Sequence, residues 1–169
     1  MSSSRKAKTL ATLLAVIMVA SMIFFFSAQD SKASSRTSNA IVKWLLPRII
    51  PGYTEMTRKQ QKPYIRQWRR IVRKTAHFLE YTLLALTVVF YLRYMMEGKK
   101  PWVIALSAWV AATLYACTDE LHQMFVKGRG PSPIDVLIDS GGGLTGTLIG
   151  ILIMMLWFRH NKKKREALA

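Results

Sequence analysis

Cysteine and acidic residues are scarce in this chain: its 169 residues include one cysteine, Cys117, and nine Asp or Glu. A single cysteine excludes an intrachain disulfide bond and says nothing about the redox compartment. The chain has 25 Lys and Arg, which makes its formal net charge +16. No internal repeat is visible, and the apolar residues form long blocks rather than an alternating pattern. A disulfide framework and a repeat architecture are therefore excluded.

Four apolar blocks, at residues 9–28, 76–92, 102–118 and 134–158, predict membrane spans. A helix needs roughly 20 mainly apolar residues to cross the hydrocarbon core, so we expect polar ends to extend the second and third spans. The end of the first block lies within FFFSAQD, residues 24–30, which is a poor cleavage site, and we interpret the block as an uncleaved span. The prediction is an all-α membrane helical bundle at 9–158, between basic tails at 1–8 and 159–169.

The positive charge lies between the spans. In a soluble protein it would favour nucleic acid, but here it sets topology and meets anionic headgroups, so we predict no nucleic-acid partner. The side that holds both tails has 11 Lys and Arg and the other side has 14, which is close to a tie. We place both tails in the cytoplasm because charges close to the first span usually dominate the topology.

The segment NAIVKWLLPRIIP, residues 39–51, is apolar but too short and too rich in proline to span. It resembles an interfacial amphipathic helix, with Trp44 and the stems of Lys43 and Arg48 at headgroup depth. A helix packed on the outer rim of the bundle explains the same pattern equally well.

Ionisable and polar residues crowd the start of span two, the end of span three and the start of span four. Because the chain alternates direction, these three helix ends lie at the same membrane face. At helical spacing, the polar residues of each end lie on one face of their helix or next to it. The polar residues are Arg73, Lys74, His77, Glu80 and Tyr81 in span two; Asp119, Glu120, His122 and Gln123 in span three; and Asp135 and Asp139 in span four.

Glycines on span four continue the face of its two aspartates. Gly142, Gly146 and Gly150 repeat the G-x-x-x-G pattern, which lets a neighbouring helix approach closely. This pattern predicts that span four is the central packing helix, although the same face suits a homodimer. The loop KGRGPSP turns sharply and should present Arg129 over the cluster.

The cluster has three interpretations. It could consist of ion pairs, such as Arg73–Glu80 or Arg129–Asp135, that only fix how the helices pack, yet buried ionic networks contribute little stability. A zinc or manganese site could take ligands from His77-x-x-Glu80 and Asp119-x-x-His122 with an aspartate of span four, but the arginines would repel a cation. We predict no metal, and the sequence identifies no cofactor.

Acid–base chemistry on a phosphate-bearing substrate fits the mixture best, because arginine holds an anion and histidine moves a proton near neutral pH. The predicted catalytic residues are His77, Glu80, Asp119, Glu120, His122 and Asp135. The predicted substrate-binding residues are Lys74, Tyr81, Gln123, Arg129 and Asp139. A proton- or ion-coupled carrier is disfavoured, since the deep halves of the spans lack charges.

The segments FSAQDS, RKTAHFLEYTLL, DELHQMFVKGRGPSPIDVLID and SGGGLTG, in this order, resemble the VanZ-like membrane protein family over residues 24–150. The family pattern of Arg or Lys, His-Phe and Glu-Tyr falls on Lys74, His77, Phe78, Glu80 and Tyr81. Its later parts fall on Asp119, Glu120, His122, Gln123, Arg129, Asp135 and Asp139. Many members carry Asn at the position of Asp139.

The resemblance implies a multi-pass protein of the bacterial cytoplasmic membrane, in a family whose founding member reduces sensitivity to the glycopeptide antibiotic teicoplanin. We expect the cluster to face the outer leaflet and to bind or modify a phosphate-bearing lipid or cell-wall precursor. The rival expectation is a non-enzymatic protein that binds a lipoglycopeptide or scaffolds envelope partners through residues 29–75. Whether the protein is an enzyme stays open, and membrane lipids and a homo-oligomer are the other expected partners.

Overall fold

The computed structural model describes residues 3–166, apart from the side chains of Lys162, Lys163 and Arg165. The predicted tails therefore extend outside the described residues at 1–2 and 167–169. Within the described part there are helices and no strands, which confirms the all-α prediction. The elements are α1 (Ser3–Ser27), α2 (Ser31–Ile49), a 3-10 turn (Tyr53–Glu55), α3 (Arg58–Met95), α4 (Pro101–Gln123) and α5 (Pro133–Glu166).

Four of these helices are long and apolar enough to cross a membrane: α1, α3, α4 and, over Pro133–Asn161, α5. Each extends beyond the predicted span. The largest difference is in α3, which begins at Arg58 rather than near residue 76. Thr57 starts this helix with a capping box, in which its hydroxyl accepts from the Gln60 N–H and the Gln60 side chain accepts from the Thr57 N–H.

At 38 residues, α3 is about 57 Å long, compared with about 30 Å for the hydrocarbon core. Its part at residues 58–74 carries eight Lys and Arg and no acidic residue, so it belongs outside the hydrocarbon. We call this part the basic arm. Hydropathy did not predict the basic arm. In a helix that changes from charged to apolar along its length, hydropathy identifies only the apolar half as a span.

The central packing helix is α3, and the prediction of span four in that role is wrong. α3 packs against α1, α2, α4 and α5. Its fully buried side chains Tyr81 and Val89 lie in a core with Ile23 of α1 and Ala108 of α4. The most extensive helix interface is the one between α3 and α5.

The glycine face of α5 makes that interface close. A Cβ atom on Gly142 would overlap the carbonyl oxygen of Phe78, and one on Gly146 would overlap that of Thr82. Thr82 Oγ1 lies 3.1 Å from the Gly142 carbonyl oxygen, to which it donates across the interface. Because α3 occupies this face, a homodimer would need another surface.

The predicted interfacial segment forms the second half of α2, which packs on the basic arm. Val42 and Leu46 are fully buried in a small second core with Tyr53, and Trp68 packs against it. The opposite side of α2 stays exposed: Trp44 is 60 % exposed, with the Arg48 guanidinium 4.3 Å from its ring centroid. Both interpretations of this segment are thus partly realised, since one face packs on the rim and the other is available to lipid.

Candidate functional site

The three predicted helix ends meet, and the end of α1 joins them. Lys74 Nζ of α3 donates to Asp135 Oδ1 of α5 at 2.7 Å. Gln123 Nε2 of α4 donates to Ser27 Oγ of α1 at 2.9 Å, in a fully buried contact. We call this end of the bundle the polar cluster.

The loop between α4 and α5 is held from both sides. Glu120 Oε2 accepts the Ser132 N–H at 2.7 Å, and the Ser31 N–H donates to the Lys127 carbonyl at 3.2 Å. Gly128 has φ +76°, a conformation that side chains rarely adopt, and a Cβ there would lie 3.1 Å from Ser31 Cβ. The predicted sharp turn is present, and Glu120 anchors it.

Arg129 extends from this loop over the cluster and towards α1. Its Nη2 donates to the Phe26 carbonyl at 3.5 Å, while its Nε is buried without a hydrogen-bond partner. Burial lowers the pKa of the Arg129 guanidinium from its ordinary value, and the positive charge of Arg73 lowers that pKa further. The packing ion pairs considered from the sequence, Arg73–Glu80 and Arg129–Asp135, are not formed in the described chain.

His77 and Glu80 form the predicted pair on α3. His77 Nδ1 lies 3.8 Å from Glu80 Oε2, within reach of an ion pair but too far for a hydrogen bond. Both side chains are 18 % exposed, and Nδ1 has no hydrogen-bond partner. His77 and Glu80 are thus close neighbours on one face of α3, without a direct hydrogen bond between them.

A cavity of about 170 Å³ opens between α2, α3 and the Arg129 loop. We call it the arginine cavity, because Arg73 and Arg129 both line it, next to His77 and Glu80. Hydroxyl and amide groups of the α1–α2 region complete its polar wall: Gln29, Ser34, Thr37 and Ser38. Two cations, several hydrogen-bond donors and a histidine thus line one half-open cavity.

The other predicted histidine lies elsewhere in the polar cluster. His122 stacks on Phe24 of α1, with ring centroids 4.7 Å apart, and it does not line the arginine cavity. Asp119 is buried and accepts from Gln123 Nε2 at 3.1 Å. Of the predicted catalytic residues, His77 and Glu80 line the arginine cavity, whereas Glu120 holds the loop and Asp135 pairs with Lys74.

Two further predicted residues are buried deeper between α3 and α5. Tyr81 is fully buried and its hydroxyl has no hydrogen-bond partner. Asp139 is 1 % exposed, and its Oδ1 also has none. The ring of Tyr81 faces that of Tyr115, whose hydroxyl donates to the Ala20 carbonyl at 2.7 Å.

Sequence reasoning missed the contribution of α1 and α2. Ser27 is fully buried against Gln123, and Ser34, Thr37 and Ser38 line the arginine cavity. One signal was present, since Ser27 belongs to the segment FSAQDS that carries part of the family resemblance. The α2 hydroxyls gave no signal, because a polar stretch after a span looks like an ordinary loop.

Within the described residues, no group of three or more His, Cys, Asp and Glu side chains is arranged to hold a metal ion.

Comparison with known proteins gives one result. No curated protein and no solved structure matches the chain. The family model VanZ/LLP1 matches residues 12–158, which include α3 and α4, most of α1 and α5, and the whole polar cluster. The chain thus belongs to the VanZ/LLP1 family.

Proposed function

We propose that this membrane protein binds the phosphate group of a lipid or of a lipid-linked cell-wall precursor in the arginine cavity. The observation that carries the proposal is that Arg73 and Arg129 line one cavity and that neither forms an ion pair with a carboxylate among the described residues. Their guanidinium groups repel each other, and an anion between them would remove that repulsion. Guanidinium groups bind phosphate with two parallel hydrogen bonds, and the hydroxyls of α2 can donate to the remaining oxygens.

The histidine beside the cavity supports a chemical role in addition to binding. His77 lines the same cavity as the two arginines, and Glu80 lies 3.8 Å away. A histidine so placed can accept a proton from a hydroxyl or water near the bound phosphate. Binding is the first claim, and modification of the bound group by this pair is the second.

The charges at the start of α1, rather than the total count, support an outer-leaflet location for the polar cluster. Arg5, Lys6 and Lys8 lie within the first turns of α1, and charges close to the first span usually decide orientation. With both tails in the cytoplasm, the arginine cavity faces the outer side of a bacterial cytoplasmic membrane. Lipid-linked wall precursors are exposed there, and through them the protein would affect sensitivity to teicoplanin.

The test is direct binding of a lipid that differs only in its phosphate. The purified chain in neutral detergent is titrated with a polyprenyl phosphate and with the corresponding polyprenol, and binding is followed by native mass spectrometry. We expect preferential binding of the phosphate, and its loss in the variant Arg73→Gln/Arg129→Gln. Lys127→Gln is the matched control, because Lys127 is exposed in the same loop and does not line the cavity.

Equal binding of the two lipids would exclude the phosphate proposal. The chemical claim is tested separately, by comparing lipids and wall precursors in membranes that hold wild type or His77→Ala at equal levels. A species that changes with wild type alone supports catalysis. Identical profiles leave binding as the activity.

A second candidate function rests on the basic arm. Lys59, Lys62, Arg66 and Arg70 line an open groove of about 480 Å³ on its exposed side. This surface could retain an anionic part of a lipoglycopeptide without any reaction. In that case Lys62→Gln/Arg66→Gln would abolish any protection against teicoplanin, while Arg73→Gln/Arg129→Gln would retain it.

A further inference from the structure

A second groove lies at the opposite end of the bundle from the polar cluster. It has a volume of about 420 Å³ and is formed where the start of α1 meets the carboxyl-terminal parts of α3 and α5. Arg5, Lys8 and Arg93 line it together with Tyr94, Glu97 and the apolar side chains of Phe90, Ile153, Met154 and Trp157. Neither the family resemblance nor the proposed function makes use of this groove.

The three cations of the groove are not equivalent. Arg5 is committed to structure, because it contacts Glu97 and donates to the Tyr94 carbonyl, at 3.0 Å from Nε and 2.6 Å from Nη2. Lys8 and Arg93 take part in no ion pair in the part of the chain that the structure describes. Glu97 lines the groove but contacts Arg5, so the charges of Lys8 and Arg93 have no carboxylate partner among the described residues.

Arg93 is also oriented. Its guanidinium carbon lies 4.8 Å from the centroid of the Phe158 ring, an arrangement stabilised by cation–π attraction. The ring contacts the face of the guanidinium group, so its N–H groups can still donate hydrogen bonds in the guanidinium plane. A held guanidinium loses less freedom on binding an anion than a mobile one does.

The rest of the groove is apolar and faces outward. Trp157 is 60 % exposed and Ile153 is 44 % exposed, on the turn of α5 that precedes the basic tail. Tryptophan is enriched at the level of the lipid headgroups, and the neighbouring basic residues Arg159 and Lys164 place this level at the membrane surface. A ligand of this groove would therefore meet cations at one end and hydrocarbon-facing side chains at the other.

We propose that this groove is a binding site for one anionic phospholipid, with its phosphate at Lys8 and Arg93 and an acyl chain along Ile153 and Trp157. The charge excludes a zwitterionic lipid as the preferred occupant, because a choline or ethanolamine group would bring a cation to the two side chains. The apolar wall excludes a free anion, which would leave most of the groove unfilled. The site would tie the ends of α1, α3 and α5 together through the lipid.

The test is the thermal stability of the full-length chain in neutral detergent with added phosphatidylglycerol or phosphatidylcholine of the same acyl chains. We expect phosphatidylglycerol to raise the unfolding midpoint more than phosphatidylcholine does. In Lys8→Gln/Arg93→Gln this difference should disappear, and the affinity for phosphatidylglycerol should fall roughly 30-fold, since each cation near an anionic headgroup contributes about 1 kcal/mol. Lys99→Gln/Lys100→Gln is the matched control, with two exposed charges removed from the adjoining loop.

Three results would overturn the proposal. Equal effects of the two lipids on wild type would show that the groove has no preference for an anionic headgroup. An equal loss in the control variant would assign the preference to general surface charge. Equal stabilisation by glycerol phosphate, which has no acyl chains, would show that the apolar wall does not take part. The first and third results require only wild type, so a variant that fails to fold does not affect them.

Discussion

Lys74 Nζ lies 2.7 Å from Asp135 Oδ1, and this ion pair joins α3 to α5 at the rim of the polar cluster. From the sequence, Asp135 was considered as the ion-pair partner of Arg129, but in the structure it pairs with Lys74. Among the described residues Arg129 forms no ion pair, and its Nη2 donates to the Phe26 carbonyl at the cavity that Arg73 also lines. A pairing between two residues at the rim thus decides which cations remain available to bind a ligand.

The Lys74–Asp135 pair should contribute little to stability. The two side chains are 37 % and 31 % exposed, and such ion pairs are typically worth about 0.2–1 kcal/mol. We expect a double-mutant cycle of Lys74→Ala and Asp135→Ala, measured by unfolding in detergent, to give a coupling energy in that range. A coupling of several kcal/mol would mean that the pair is desolvated in the membrane and acts as a principal link between α3 and α5.

Gly146→Ala should disrupt the bundle. The new Cβ would overlap the Thr82 carbonyl oxygen, so α5 must move away from α3, at about 1–3 kcal/mol or more. Gly141→Ala is the control, because its Cβ would lie 3.8 Å from Phe78 in ordinary contact and alanine favours a helix. The measurement is the unfolding midpoint and the monodisperse fraction in size-exclusion chromatography. Similar values for the two variants would contradict the close packing of this face.

Glu120→Ala should loosen the loop that carries Arg129. Removing the carboxylate leaves the Ser132 N–H without its acceptor, which costs about 1–3 kcal/mol locally. We expect faster hydrogen exchange at residues 126–133 and weaker binding of polyprenyl phosphate, with α1 and α3 unchanged. Leu121→Ala, at an exposed neighbouring position, should leave the exchange of the loop as in wild type. Unchanged exchange in Glu120→Ala would remove Glu120 as the anchor of the loop.

His77 and His122 should differ in their effects on function. His77 lines the arginine cavity, whereas His122 stacks on Phe24 outside it. We expect His77→Gln to abolish any effect of the protein on teicoplanin sensitivity, and His122→Gln to retain most of it at equal expression. A larger effect of His122→Gln than of His77→Gln would show that the reacting group lies on the α1–α4 side of the polar cluster. That result would not test phosphate binding by Arg73 and Arg129.

Deletion of residues 39–51 would be a poor test of the second candidate function. It removes Val42 and Leu46, which are fully buried against the basic arm, so the loss of function would follow from misfolding. Lys62→Gln/Arg66→Gln tests the same surface without touching that core. Lys62→Gln/Arg66→Gln, rather than the deletion, therefore distinguishes binding by the basic arm from catalysis at the arginine cavity.

The sequence by itself determined the features that depend on composition and on the direction of the chain. Four apolar blocks predict four spans, and alternating direction brings three polar helix ends to one face. The spacing of Gly142, Gly146 and Gly150 predicts a close helix contact. These properties follow from transfer free energy and helical periodicity, which are local to each segment.

Tertiary structure decided which residues touch. Hydropathy could not show that α3 begins at Arg58, because its basic arm is stabilised as a helix by the capping box and by packing on α2. Nor could it assign Asp135 to Lys74, or bring Arg73 to the same cavity as Arg129. Each of these depends on how the helices are rotated about their axes and on the path of the loop at Gly128. Both are set by contacts between segments far apart in the chain, which no local pattern records.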